Sequence, residues 1–229
     1  MRSALPPQAL VLALVQARAP SPAETERTKG FHMLPEDIHP VSRCRLAPPK
    51  REDFDDAGKV VFDSYVDPNG GSIRGLQGPG GIQLHSPKLA QINRPLNKYL
   101  RFDCGFTPRQ REVAILITAR EADSRFEWAA HEPESRKCGV PEETIQAIKH
   151  KRSLEAVPEE DAVIIQLGRE AFGARKVSPA TYRRALEAFG AKGLVDLVAL
   201  MGKYAATAAM LCVFDMQLDD GETAILPLE

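Results

Sequence analysis

The chain has 229 residues, with 30 Lys and Arg against 31 Asp and Glu and 43% hydrophobic residues. That length suffices to bury a substantial core in one domain with extensions, and the balanced charge excludes the strong basic field that gathers nucleic acid or an anionic membrane surface. The four cysteines, Cys44, Cys104, Cys138 and Cys212, include no Cys-x-x-Cys pair, so neither a local zinc site nor a dithiol redox centre is spelled out.

Arg2, the apolar run from Ala9 to Val15 and then Ala17 match a short secretory signal with a Val-x-Ala cleavage site, although Pro6 and Pro7 interrupt its start. A misread start upstream of Met33 is the competing explanation. Residues 1–32 are therefore set apart as a leader or disordered N-terminus. A cytoplasmic protein is the expectation, with a periplasmic or secreted one the alternative if residues 1–17 are a signal peptide.

From Pro20 to Lys50 the chain is rich in proline and charge without apolar periodicity, which reads as an extended arm reaching toward a neighbouring subunit. Residues 53–66 predict a first helix with Phe54, Val61 and Tyr65 on one side, although Val60, Val61 and Phe62 also suit a short strand. The glycines from Gly70 to Gly81 follow, and read as a flexible loop or pocket lid. This stretch lacks the Gly-Lys-Ser/Thr ending of a phosphate loop. Arm, first helix and loop together span 33–85.

Beyond it, Ser86-Pro87, Thr107-Pro108, Val140-Pro141, Val157-Pro158 and Ser178-Pro179 each place proline where a first helical turn tolerates it. Thr107 with Gln110, and Ser124 with Glu127, have capping-box spacing. Clear alternating strands are missing, so the expectation is an all-α helical bundle over 86–217, with a C-terminal tail over 218–229. The last helix, about Lys192 to Phe214, is apolar almost all round and carries small residues at Gly202, Ala205, Ala206 and Ala209. Lys203 near its middle would cost roughly 2.5 to 3.5 kcal/mol at a bilayer centre. A central buried helix is expected rather than a membrane span, with Cys212 in the core and Cys138 more accessible.

Two neighbouring helices carry the chemistry. Glu112 shares a face with Ile115, Leu116 and Ala119, an acid on an apolar stripe whose burial favours proton exchange near neutral pH. Arg109, one turn earlier, offers the alternative of an ordinary surface pair. In the next helix Ser124, Glu127 and His131 share one face within two turns. A carboxylate four residues before an imidazole can orient it for general acid or base work. Pro133 predicts a kink just beyond His131.

The stretches Arg111-Glu-Val-Ala-Ile-Leu-Ile-Thr-Ala-Arg120, Glu127-Trp-Ala-Ala-His131 and Gly139-Val-Pro-Glu-Glu-Thr-Ile145 resemble the carboxymuconolactone decarboxylase family, which includes alkylhydroperoxidase D. The resemblance covers roughly residues 53–217 and implies an alkylhydroperoxidase D-like bundle that assembles as a homotrimer or hexamer. In the peroxidase branch a glutamate, a Cys-x-x-Cys pair and a histidine form the site. Matching that histidine to His131 puts the glutamate at Glu112 and the cysteines at Ser124 and Glu127, so this chain resembles a branch that lacks the pair.

The expectation is an enzyme of the lyase type that needs no cofactor and no metal. It moves protons in decarboxylation, lactone or isomerisation chemistry on a small organic acid. His131, oriented by Glu127, carries the proton and Glu112 relays it, while Ser124, Trp128 and His85 are candidate substrate contacts. One alternative is a peroxiredoxin-type antioxidant activity using Cys138, about 10 Å beyond His131 along an unbroken helix. The other is a non-catalytic oligomer that binds a small ligand.

Overall fold

A computed structural model describes residues 34–67, 73–219, 222, 226 and 227, so the leader reading lies outside the described residues. Among these residues every regular element is helical and none is a strand, giving an all-α fold. Helix α1 spans Asp56–Val66, α2 Pro79–Leu84, α3 Pro87–Lys98, α4 Pro108–Glu121 and α5 Arg125–Lys137. They are followed by α6 at Glu142–Lys149, α7 at Glu159–Gly168 and α8 at Pro179–Val213. Short π-helical turns at Tyr99–Asp103 and Arg169–Ala174 close α3 and α7.

Local chemistry sets these boundaries. Asp55 accepts the Gly58 N–H at 2.7 Å and starts α1, which leaves Phe54 before the helix with its ring 5.8 Å from that of Phe62. Val60, Val61 and Phe62 are helical, so the strand alternative falls. The glycine-rich stretch is not loose at its end. Pro79 sets the first turn of α2, in which Gly80 through Leu84 are all buried, and a Cβ at Gly81 would collide with the Leu76 carbonyl oxygen. Of the expected capping boxes, the one at Thr107 and Gln110 forms, with bonds of 3.1 and 2.9 Å. Ser124 caps α5 without a side-chain hydrogen bond.

Helix α4 is the central element, packed against α5, α6, α7 and α8. Every residue from Arg111 to Arg120 is buried, which is why its apolar stripe is hard to see: both its apolar and its charged positions face protein. Its charges are satisfied locally. Arg120 donates to the Lys149 carbonyl at 2.9 Å and pairs with Asp123 at 2.6 Å. Fully buried Asp161 accepts from Arg109 at 2.7 Å and from Thr144 at 3.1 Å, tying α4, α6 and α7 together. Arg109 is thereby engaged away from Glu112.

The last helix, expected from about Lys192, follows a break within α8 and is less buried than expected. Gly190, at φ 65° and ψ 174°, breaks α8 into two rods, a conformation open to glycine at little cost. The second rod lays Leu197, Leu200 and Met201 wholly in the core, yet Val195, Val198 and Val213 are 68%, 44% and 62% exposed. It is thus half-buried, and Cys212, expected in the core, is exposed. Among the described residues α8 alone is long and apolar enough to cross a membrane, and half of its most apolar window is buried in this fold.

The described part of the N-terminal arm folds back on its own chain: Arg45 donates its N–H to the Phe214 carbonyl at 2.9 Å, and Gln217 to that of Arg43 at 2.8 Å. Cys44 is buried in the same cluster as Ile82, Phe126 and Leu211.

Glu170 closes the turn between α7 and α8. It accepts from the Ser178 N–H at 2.6 Å, Thr181 Oγ1 at 2.8 Å and Gln166 Nε2 at 2.9 Å. Burial pushes its carboxyl up, but these bonds outweigh that and hold it down at about 2. A depressed folded-state pKa contributes stability above the unfolded value and loses it as pH falls through the folded one. Glu170→Gln is expected to cost about 1–2 kcal/mol in urea denaturation at neutral pH. That deficit should shrink between about pH 4.5 and pH 2; a deficit constant across the range contradicts this role.

Candidate functional site

Helices α4 and α5 run side by side and bring three titratable groups into one line. His131 Nδ1 lies 2.7 Å from Glu112 Oε2, and Glu112 Oε1 accepts from Arg111 Nε at 3.0 Å. On the other side of the ring, His131 Nε2 lies 3.5 Å from Glu127 Oε2. All three are buried, at 0% exposure for Glu112, 3% for His131 and 4% for Glu127. Helix α5 runs through Pro133 to Lys137, so His131 sits within a continuous helix rather than at its end.

The two carboxyls are driven in opposite directions. Burial pushes Glu112 up, but hydrogen bonding and charge from His131 and Arg111 outweigh it and hold Glu112 below its ordinary value. Burial also pushes Glu127 up, and there the charges of His131, Lys203 and Arg101 do not overcome it. Two carboxyls with divergent proton affinities mark which one stays ionised and which one can hold a proton. An ionised carboxylate only accepts, so Nδ1 carries a hydrogen toward Glu112 and Nε2 is the exchangeable nitrogen. Glu127 was expected to orient His131; the shorter contact to the ring is from Glu112, at 2.7 Å against 3.5 Å for Glu127.

Glu127 and His131 face a cavity of about 100 Å³, whose walls come from α1, α2, α3, α5, α8 and the π turn after α3. By volume it holds roughly seven to ten water-sized groups at ~10–15 Å³ each. Tyr204 stands edge-on to His131, with ring centroids 5.3 Å apart and planes at 85°. Arg74 from the 73–75 segment, Arg94, Arg101 and Lys203 also border the space, with Glu127 the one carboxyl among the described lining residues. Glu112 is absent from that wall, shielded behind His131.

The other expected contacts are elsewhere. Trp128 lies on the far side of α5, fully buried in the main core with no acceptor for its Nε1. A residue next to Glu127 is turned about 100° away around a helix. Ser124 is buried at the helix start and does not line the cavity, and its capping-box partner Glu127 is turned toward His131 instead. His85 caps the end of α2, exposed, with Nε2 3.0 Å from the Ala47 carbonyl.

Several site residues escaped the sequence reading. Arg101 is carried by a π turn that no local pattern announces, and Arg111 pairs with its immediate neighbour, a spacing that does not face inward along a helix. Lys203 did carry a signal, a lone charge in an apolar helix, which the reading used only against a membrane span. Among the described residues no group of three His, Cys, Asp or Glu side chains is placed to hold a metal ion. Glu112 and Glu127 take opposite sides of the His131 ring and do not converge on one point.

No protein-family model matches the chain, and no curated protein matches it.

The geometry separates the two acids energetically. Glu112→Gln leaves Arg111 and His131 without their buried counter-charge and should cost about 3–5 kcal/mol in urea denaturation at neutral pH. Glu127→Gln removes only a carboxyl that burial disfavours when ionised. Because a raised pKa loses its stability contribution as pH rises through the folded value, this variant should gain on the wild type as pH rises above the ordinary carboxyl value of 4.5. Equal losses for the two variants contradict the assignment.

Proposed function

We propose that the chain is a carboxymuconolactone decarboxylase-like enzyme that performs cofactor-independent proton transfer on a small organic acid, of the decarboxylation, lactone or isomerisation type. The observation that carries this reading is the Glu112–His131–Glu127 line, with contacts of 2.7 and 3.5 Å to the ring, in which His131 and Arg111 hold Glu112 down while burial pushes Glu127 up. Glu112 and Arg111 fix the ring, and Nε2 exchanges a proton with substrate directly or through Glu127. Tyr204 limits the ring's movement from the α8 side. Arg74, Arg94 and Arg101 on the wall favour an anion, and the cavity volume favours a molecule of few carbons. The exposed valines of α8 supply an apolar face for the homotrimer or hexamer that the family resemblance implies.

A thiol peroxidase is disfavoured by the state of Cys138. Burial, with the charge of Glu112 adding to it, raises that thiol despite the nearby Arg111, whereas peroxide attack needs a thiolate. A purely ligand-binding role gains nothing from an acid as deeply buried as Glu112.

The test is proton exchange. Small keto acids and lactones are screened by NMR for deuterium uptake, decarboxylation or ring opening in D2O. His131→Gln should lower the rate about 100-fold in a folded protein, while serine at all four cysteine positions should leave it unchanged. An unaltered rate in the folded His131 variant contradicts the proposal.

A further inference from the structure

The proton-transfer reading leaves one reactive group in the cavity without a task. Among the described residues Lys203 is the only lysine on the wall, on the same face of α8 as Tyr204 and Thr207. Among the same residues its Nζ has no carboxylate within ion-pair reach, and its hydrogen bond to Thr207 Oγ1 is long at 3.5 Å. Two exposed lysines differ from it: Lys192 binds Asp196 at 2.7 Å and Lys137 binds Glu134 at 3.1 Å. A primary amine on the wall of one cavity with a protonatable carboxyl and an imidazole supplies the three groups that carbonyl capture requires.

We propose that Lys203 is a covalent catalyst that captures the carbonyl carbon of a small β-keto acid as an imine, with Glu127 and His131 moving the protons. Burial favours the neutral amine of Lys203, and the charge of Glu127 only partly offsets this. The groups facing it are Glu127 and His131 from α5, Arg101 from the π turn, and Tyr204 beside it on α8.

In the first step the Nζ lone pair bonds to the carbonyl carbon, and the carbonyl oxygen takes a proton from Glu127. The carbinolamine nitrogen gives up a proton to His131, which returns it to the hydroxyl, and that leaves as water. The protonated imine then accepts the electron pair of the bond to the carboxylate carbon, and carbon dioxide departs. The resulting enamine takes a proton from solvent on carbon, and water adds to the imine and frees the ketone and Lys203 while Glu127 regains its proton. The net change is a β-keto carboxylate and a proton giving a ketone and carbon dioxide, with no external oxidant or reductant.

This inference builds on the proposed proton-transfer site but has its own readout. The full chain is incubated separately with acetoacetate, pyruvate and glyoxylate in the presence of cyanoborohydride, then analysed by intact mass and peptide mapping. The expected result is one reduced adduct per chain, at Lys203, forming at least about tenfold faster than at any other lysine. It should be lost in Lys203→Met and in Lys203→Arg, the second of which keeps the charge. Adducts spread over exposed lysines, or an adduct that survives in either folded variant, overturn the assignment. His131-dependent exchange without trapping at Lys203 removes the imine and leaves the proton-transfer site, whereas trapping without His131-dependent exchange does the reverse.

Discussion

An ionised carboxylate with no exposure to solvent is costly unless charge and hydrogen bonds replace the water it gives up. Glu112 meets that demand with Arg111 from its own helix and His131 from the next. Because the demand is strict, it fixes more than one side chain. It sets how α5 is rotated against α4, and therefore that Glu127 and Ala130 face the cavity while Trp128 enters the core.

The same constraint divides the chemistry. With Nδ1 committed to Glu112, only Nε2 can exchange protons, and it points toward the cavity side where Glu127 sits at 3.5 Å. Glu127 is pushed toward its protonated form by the burial that surrounds it. The guanidiniums of Arg74, Arg94 and Arg101 border the cavity, and its volume limits what it can hold. Lys203 extends this logic, since a neutral amine and a protonated acid are the partners that a carbonyl group meets productively.

Much of this was legible in the residues. Proline at a first turn marked the starts of α3, α4 and α8, and shifted by one residue for α6 and α7, where Pro141 and Pro158 are the caps themselves. The pairing of Glu112 and His131 across two helices follows from their positions on neighbouring periodic segments. What stayed hidden has physical reasons. Helix α4 is surrounded on all sides, so periodicity did not reveal that it, rather than the last helix, is central. That Glu112 lies closer to the His131 ring than Glu127 does was hidden because spacing within one helix is visible in sequence, while a contact between helices is not. His85 followed a buried α2 that glycine content disguised as a loop.

The central claim is that these two carboxyls lie on opposite sides of their ordinary value of 4.5. Carbon-13 NMR of side-chain carboxyls in glutamate-labelled protein, with the two signals assigned through the single Gln variants, measures this directly. Glu112 should remain ionised to below that value and Glu127 should stay protonated above it. Titration of both at 4.5, or with the order exchanged, would contradict the account.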